Sequence, residues 1–183
     1  RPNNTHFAVL GVLALQAGSG YDIKKFLGRS IGHFWKVSYG QVYPILKELA
    51  AGGLATMTRE SQHKRPTRNV YSITDRGREY LQRWLESPLD IQSNDASREV
   101  LLRIFFGEFA PADVNIRQVE QLQQFVKRGG AIYPEIAERL NRDEIGNRHL
   151  PYWLLTLKMG MFNCKAILRW CDESLATLQQ LNK

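Results

Sequence analysis

The chain has 183 residues, 43% hydrophobic and 23% charged, with a formal net charge of +7, the composition of one ordinary folded domain or a small domain plus an extension. No apolar run approaches the roughly 18 uncharged residues of a membrane span, no secretory signal is visible, and the four histidines and two cysteines fall at no metal-ligand spacing. The charge is uneven: residues 1–90 hold 13 Lys and Arg against 7 Asp and Glu, and residues 91–183 hold 12 against 11, which points to a polyanion-binding first half and an assembly-forming second half.

From about Thr5 to Gln16, Phe7, Leu10, Leu13 and Ala14 recur at helical spacing, and the run ends at the Gly18-Ser19-Gly20 turn. A second helix, Tyr21 to Leu27, carries Ile23, Phe26 and Leu27 at helical spacing with Asp22 in its first turn. Ser38 is the expected N-cap of a third helix that reaches Ala51 and closes at Gly52-Gly53. The period then changes. Leu54 to Arg59 alternates as a strand does, and Val70 to Ile73 is a second short strand. Between them the polar stretch 60–68 holds Lys64, Arg65, Arg68 and a turn-favouring Pro66. Three helices and then a strand pair with a basic tip is the order of a winged helix-turn-helix. Thr74-Asp75 caps a further helix through Leu85, which ends near Ser87-Pro88.

Residues 87–97 read as a linker, so the expected domains are 1–86 and 98–183. Beyond the linker, Ser97 to Phe106 reads as a helix and Ala112 to Leu140 as a long helical stretch bent at Gly129-Gly130. The last helix, Leu150 to Leu181, places Leu150, Leu154, Leu157, Met161, Cys164, Leu168, Cys171, Leu175 and Leu178 in alternating steps of four and three, a heptad seam. With Trp153 beside it, this seam is the expected dimerisation surface, aided by the Ser97–Phe106 helix. Cys164 and Cys171 would stand about 10 Å apart along such a helix, too far to bridge within the chain. They read as core thiols of a cytoplasmic protein. The fold class is mainly α: a winged helix-turn-helix with a small β-hairpin, followed by an α-helical dimerisation domain.

On the third helix Val42, Ile45, Leu46 and Leu49 share one face, which turns Tyr43, Pro44, Lys47 and Glu48 outward. Ser38, Tyr39, Gly40 and Gln41 form the first turn, the part of a recognition helix that enters a major groove. Tyrosine hydroxyls donate to phosphates, the side-chain amide of Gln41 suits an adenine edge, and Gly40 lets the backbone approach. Pro44 leaves the Gly40 carbonyl without its helical donor. The loop His63-Lys64-Arg65-Pro66-Thr67-Arg68 then reads as a wing that grips phosphates near the neighbouring minor groove. The expected DNA-contacting set is Ser38, Tyr39, Gly40, Gln41, Tyr43, Lys47, His63, Lys64, Arg65 and Arg68. Arg98 and Arg103 suit either an acidic ligand or a solvated face. No phosphate loop or nucleophile elbow is present, so no enzyme is expected.

The stretch Phe34 to Leu49, with the runs Val9 to Leu13, Gly20 to Ile23 and Val70 to Glu79, closely resembles PadR-type regulators. The likeness continues more loosely through Trp153-Leu154 and Leu168-Arg169-Trp170, as in the larger members with a long C-terminal domain. This resemblance implies a cytoplasmic prokaryotic homodimer that binds double-stranded DNA, most often as a repressor, with no cofactor. In some members a small, often aromatic, effector releases the DNA. Two readings stay open beside it: a winged-helix module that binds protein and not DNA, and a DNA-binding activator.

Overall fold

The computed structural model describes residues 4–60, 67–91 and 95–181. Its elements run α1 (Asn4–Leu15), α2 (Gly20–Ser30), α3 (Tyr39–Ala51), β1 (Ala55–Glu60), β2 (Arg68–Ile73), α4 (Asp75–Glu86), α5 (Ala96–Phe105), a 3-10 turn (Gly107–Phe109), α6 (Ala112–Gly130), α7 (Ile132–Asp143) and α8 (Leu150–Leu181). They pack into two compact units, 1–88 with 97–111 and 89–96 with 112–183. No helix among the described residues is long and apolar enough to cross a membrane.

The first unit, the head, is built on α1. That helix is apolar almost all round, and Phe7 to Leu13 are all buried, as an all-round apolar helix requires. Ile23 and Leu27 of α2, Val42, Leu46 and Leu49 of α3, and Leu81 and Leu85 of α4 share its core. The hairpin pairs antiparallel, Ala55 opposite Ile73 and Glu60 opposite Arg68. It is fixed to the α1–α2 turn by two backbone bonds, Gly18 N–H to Tyr71 O (3.0 Å) and Tyr71 N–H to Gly18 O (2.9 Å). At the base of the hairpin Gly53 adopts φ +69°, the left-handed region that glycine enters without cost. Thr74 closes the corner there: its hydroxyl donates to Gly53 O (2.8 Å) and accepts from Gly77 N–H (3.0 Å).

The unit boundary differs from the linker reading. Helix α5, expected with the C-terminal half, packs into the head. Leu102 and Phe106 belong to the head core, and a Cβ on Gly11 would lie 2.5 Å from the Phe106 ring. Arg103, 1% exposed, explains the attachment. It pairs with Glu99 at 2.6 Å, donates to Ser87 O (2.6 Å) and Leu85 O (3.2 Å), and lies 4.9 Å from the Trp84 ring centre. The guanidinium thus satisfies the open C-terminal end of α4. Burial draws its pKa down and the Glu99 carboxylate pushes it back up.

In the C-terminal unit the stretch expected to bend at Gly129-Gly130 is broken there into α6 and α7. Helix α6 buries Val114, Val119, Leu122 and Val126 and packs mainly with α8. A Cβ on Gly130 would stand 3.4 Å from Cys164, and one on Gly160 would meet the Tyr133 ring at 2.6 Å. Gln123 donates to the Asp172 carboxylate at 2.6 Å. Every position of the heptad seam is buried or half-buried within this single chain, and Cys171 is fully buried. The seam is therefore the line along which α8 meets its own α6 and α7. Trp153 lies off that line, 40% exposed. Burial holds the Cys171 thiol up at about 11, with the Asp172 carboxylate adding to the shift and Lys127 opposing it.

Candidate nucleic-acid interface

The interface is set by two helix starts. At α2, Ser19 and Asp22 form a capping box: Asp22 Oδ2 accepts from the Ser19 hydroxyl (2.7 Å) and the Ser19 N–H (3.1 Å). Those two bonds hold the Asp22 carboxyl below its usual range against the opposing effect of burial, with smaller help from Arg68 and then Lys25. At α3 the same device recurs. Gln41 Oε1 accepts from the Ser38 N–H (2.9 Å) and from the Ser38 hydroxyl (3.1 Å). The amide expected to read bases is thus also the lock of the helix start. Only its NH2 end lies outside these two bonds.

Beyond the cap, Val42, Ile45, Leu46 and Leu49 are buried. Ser38, Tyr39, Gly40, Gln41, Tyr43, Pro44, Lys47 and Glu48 are exposed. The structure therefore brings the six α3 candidates onto one solvent-facing ridge. Tyr43 is anchored by packing: a Cβ on Gly20 would meet its ring at 2.5 Å. Glu48 is drawn off by the His6 ring, whose Nε2 lies 2.8 Å from Oε2.

Tyr39 is not alone. Its ring stacks on Tyr21 of α2, with centroids 6.4 Å apart and planes at 17°. Lys24 Nζ lies 5.5 Å from the Tyr39 centroid and Lys25 Nζ 5.8 Å from that of Tyr21. Sequence reading missed Tyr21, Lys24 and Lys25 as surface partners. The spacing Tyr21, Lys24, Lys25 on one helical face was the available signal.

At the base of the wing, Arg68 is engaged within the head. Arg68 binds the Glu60 carboxylate through Nη2 (3.0 Å) and lies 3.6 Å from Asp22, so it closes the hairpin and ties it to α2. His63, Lys64 and Arg65 lie outside the described residues. Arg98 and Arg103, considered for an acidic ligand, are engaged internally. Arg98 donates to Phe34 O at 2.9 Å and lies over Trp35, and Arg103 is the buried tie of α4 to α5. Among the described residues no group of three His, Cys, Asp or Glu is placed to hold a metal ion.

Residues 9–83 match the model of the transcriptional regulator PadR-like family, and residues 98–179 match that of the virulence activator alpha C-terminal domain. The chain is a PadR-type transcriptional regulator. A probable transcriptional regulator of Mycobacterium tuberculosis is 27% identical to it over 94% of this chain and 96% of its own length. The negative transcriptional regulator PadR of Bacillus subtilis is 32% identical over 55% of this chain and 54% of its own. The crystal structure of Bacillus subtilis PadR in complex with operator DNA is similar over 96% of this chain and 99% of its own, at 23% identity and a TM-score of 0.46. That protein has also been solved in complex with p-coumaric acid. Within the PadR-type chain, the first family match ends inside α4 and the second begins inside α5.

Proposed function

We propose that this PadR-type regulator represses transcription as a cytoplasmic homodimer bound to an inverted repeat, with α3 in the major groove and the wing on the backbone or minor groove. The observation that carries this reading is the polar ridge of α3, turned to solvent by the burial of Val42, Ile45, Leu46 and Leu49. Ser38, Tyr39, Gly40, Gln41, Tyr43 and Lys47 are its contact set, with Lys64 and Arg65 as wing cations beside His63. The sign of regulation rests on likeness to a relative named a negative regulator.

Dimerisation falls to the first half of α8. From Leu150 to Phe162 that helix has no fully buried residue, and α7 beneath it has none. Tyr152, Leu155, Met159 and Phe162 are exposed at heptad spacing, a stripe that a second copy would cover. A small aromatic effector completes the reading as the release signal. Its binding groups lie elsewhere than Arg98 and Arg103, both of which have partners within the head.

Selection of bound duplexes from a random pool tests the proposal. The expected product is an enriched inverted repeat with half-sites about one helical turn apart. A pool with no enriched motif would overturn sequence-specific regulation and favour the protein-binding alternative. Addition of p-coumaric acid to the selected complex then checks for release.

A further inference from the structure

One side of α2 carries exposed Tyr21, Lys25, Gly28 and Arg29 and half-buried Lys24 within an arc of about 140°, at about 100° per residue. No carboxylate lies within ion-pair distance of Lys24, Lys25 or Arg29 among the described residues; Asp22, the acid nearest in sequence, is held by Ser19 and Arg68 and feels Lys25 more weakly. An open hollow lined by Gln16, Asp22, Lys25, Phe26, Arg29 and Ser30 continues the same side, with Asp22 as its one carboxylate. At its N-terminal end the Tyr21–Tyr39 stack joins this face to the first turn of α3, and each ring has a lysine ammonium beside it.

We propose that Tyr21, Lys24 and Lys25 form a second phosphate-binding patch that holds the DNA backbone flanking the bases met by α3. This rests on the DNA-binding reading above. Two ammoniums close in sequence and unpaired by carboxylates repel each other, and a polyanion relieves that repulsion. The first helix of a helix-turn-helix is the one that crosses the backbone. The aromatic stack fixes Tyr39 relative to α2, so a phosphate gripped by the lysines also sets where Tyr39 stands on the groove edge. Contacts of this kind position a protein on DNA and carry no sequence information.

The test uses the full chain with two probes, a random-sequence duplex and the selected operator duplex. Lys24→Ala with Lys25→Ala should weaken both complexes by the same factor. It should also flatten the slope of log affinity against log salt by up to about two units, so that raising salt from 50 to 200 mM costs about tenfold less affinity than in the parent chain. Tyr21→Phe, which keeps the ring, should bind nearly as the parent does, whereas Tyr21→Ala should weaken both complexes. All three sites are on the surface, and an unchanged melting temperature checks that the head is intact. An unchanged salt slope in the double variant overturns the patch while leaving the DNA reading standing. Failure of the parent chain to bind either duplex at low salt overturns the DNA reading itself, and the patch with it.

Discussion

Arg103 is the most deeply committed charge in the head. Its guanidinium holds Glu99, the end of α4 and the Ser87 corner at once. Removing one member of a buried pair leaves the other charge without compensation, a loss of roughly 3–5 kcal/mol. Arg103→Ala should therefore lower the denaturant midpoint strongly, whereas Arg103→Met with Glu99→Leu should recover much of the loss. Cys171 gives a second prediction. Its thiol ionises only near 11, while an unfolded chain releases that proton near the ordinary thiol value. The folded state is thus favoured below the ordinary value, and stability declines as pH rises from there through about 11. A thiol reagent near neutral pH should label half-exposed Cys164 in the native chain and reach Cys171 only on unfolding. Equal labelling of both would contradict the packing of α8.

At the scale of elements, α3 couples capping to reading. Gln41→Glu keeps an acceptor for the Ser38 N–H and hydroxyl, so the melting temperature should hold, yet it sets a negative charge toward phosphates and should abolish operator binding. Gln41→Ala removes the lock, which should cost about 1 kcal/mol of stability, and leaves binding to random duplexes nearly intact. Loss of random-duplex binding in the alanine variant would make Gln41 a positioning group and not a base reader. Helices α2, α3 and α4 of the head were legible because each carries its own punctuation: Ser19 and Asp22, Ser38 and Gln41, Thr74 and Gly77. Helix α5 was legible as a helix but not as part of the head. Its affiliation depends on Arg103 reaching the end of α4, and on Phe106 filling the space above Gly11, neither of which leaves a periodic trace. Tyr21 did leave a spacing signal with Lys24 and Lys25, but its stack on Tyr39 joins two helices and is not written in either one alone.

At the scale of the whole molecule, the heptad pattern of α8 has a partner already within the chain. The steps of four and three on α8 mark a packed face, but within one chain that face already meets α6 and α7. Heptad spacing reports that something is covered and not whose residues cover it. Charge on Leu157 and Leu168 would therefore disturb the C-terminal unit itself. Leu155→Glu with Phe162→Glu, on the exposed stripe, should instead give folded monomers with far weaker operator affinity, read by sedimentation and circular dichroism. A dimer in sedimentation would move the pairing surface elsewhere. The seating of Phe106 against Gly11 reaches further than stability. By sequence family, Phe106 lies with the C-terminal domain, and by packing it fills the core of the head. A crossover between two relatives at the boundary of their family domains would thus deliver a foreign ring to a socket shaped without a Cβ. Chimeras joined after Pro111 would keep ring and socket from the same parent, and lineages that exchange C-terminal domains should bear matched changes at these two positions.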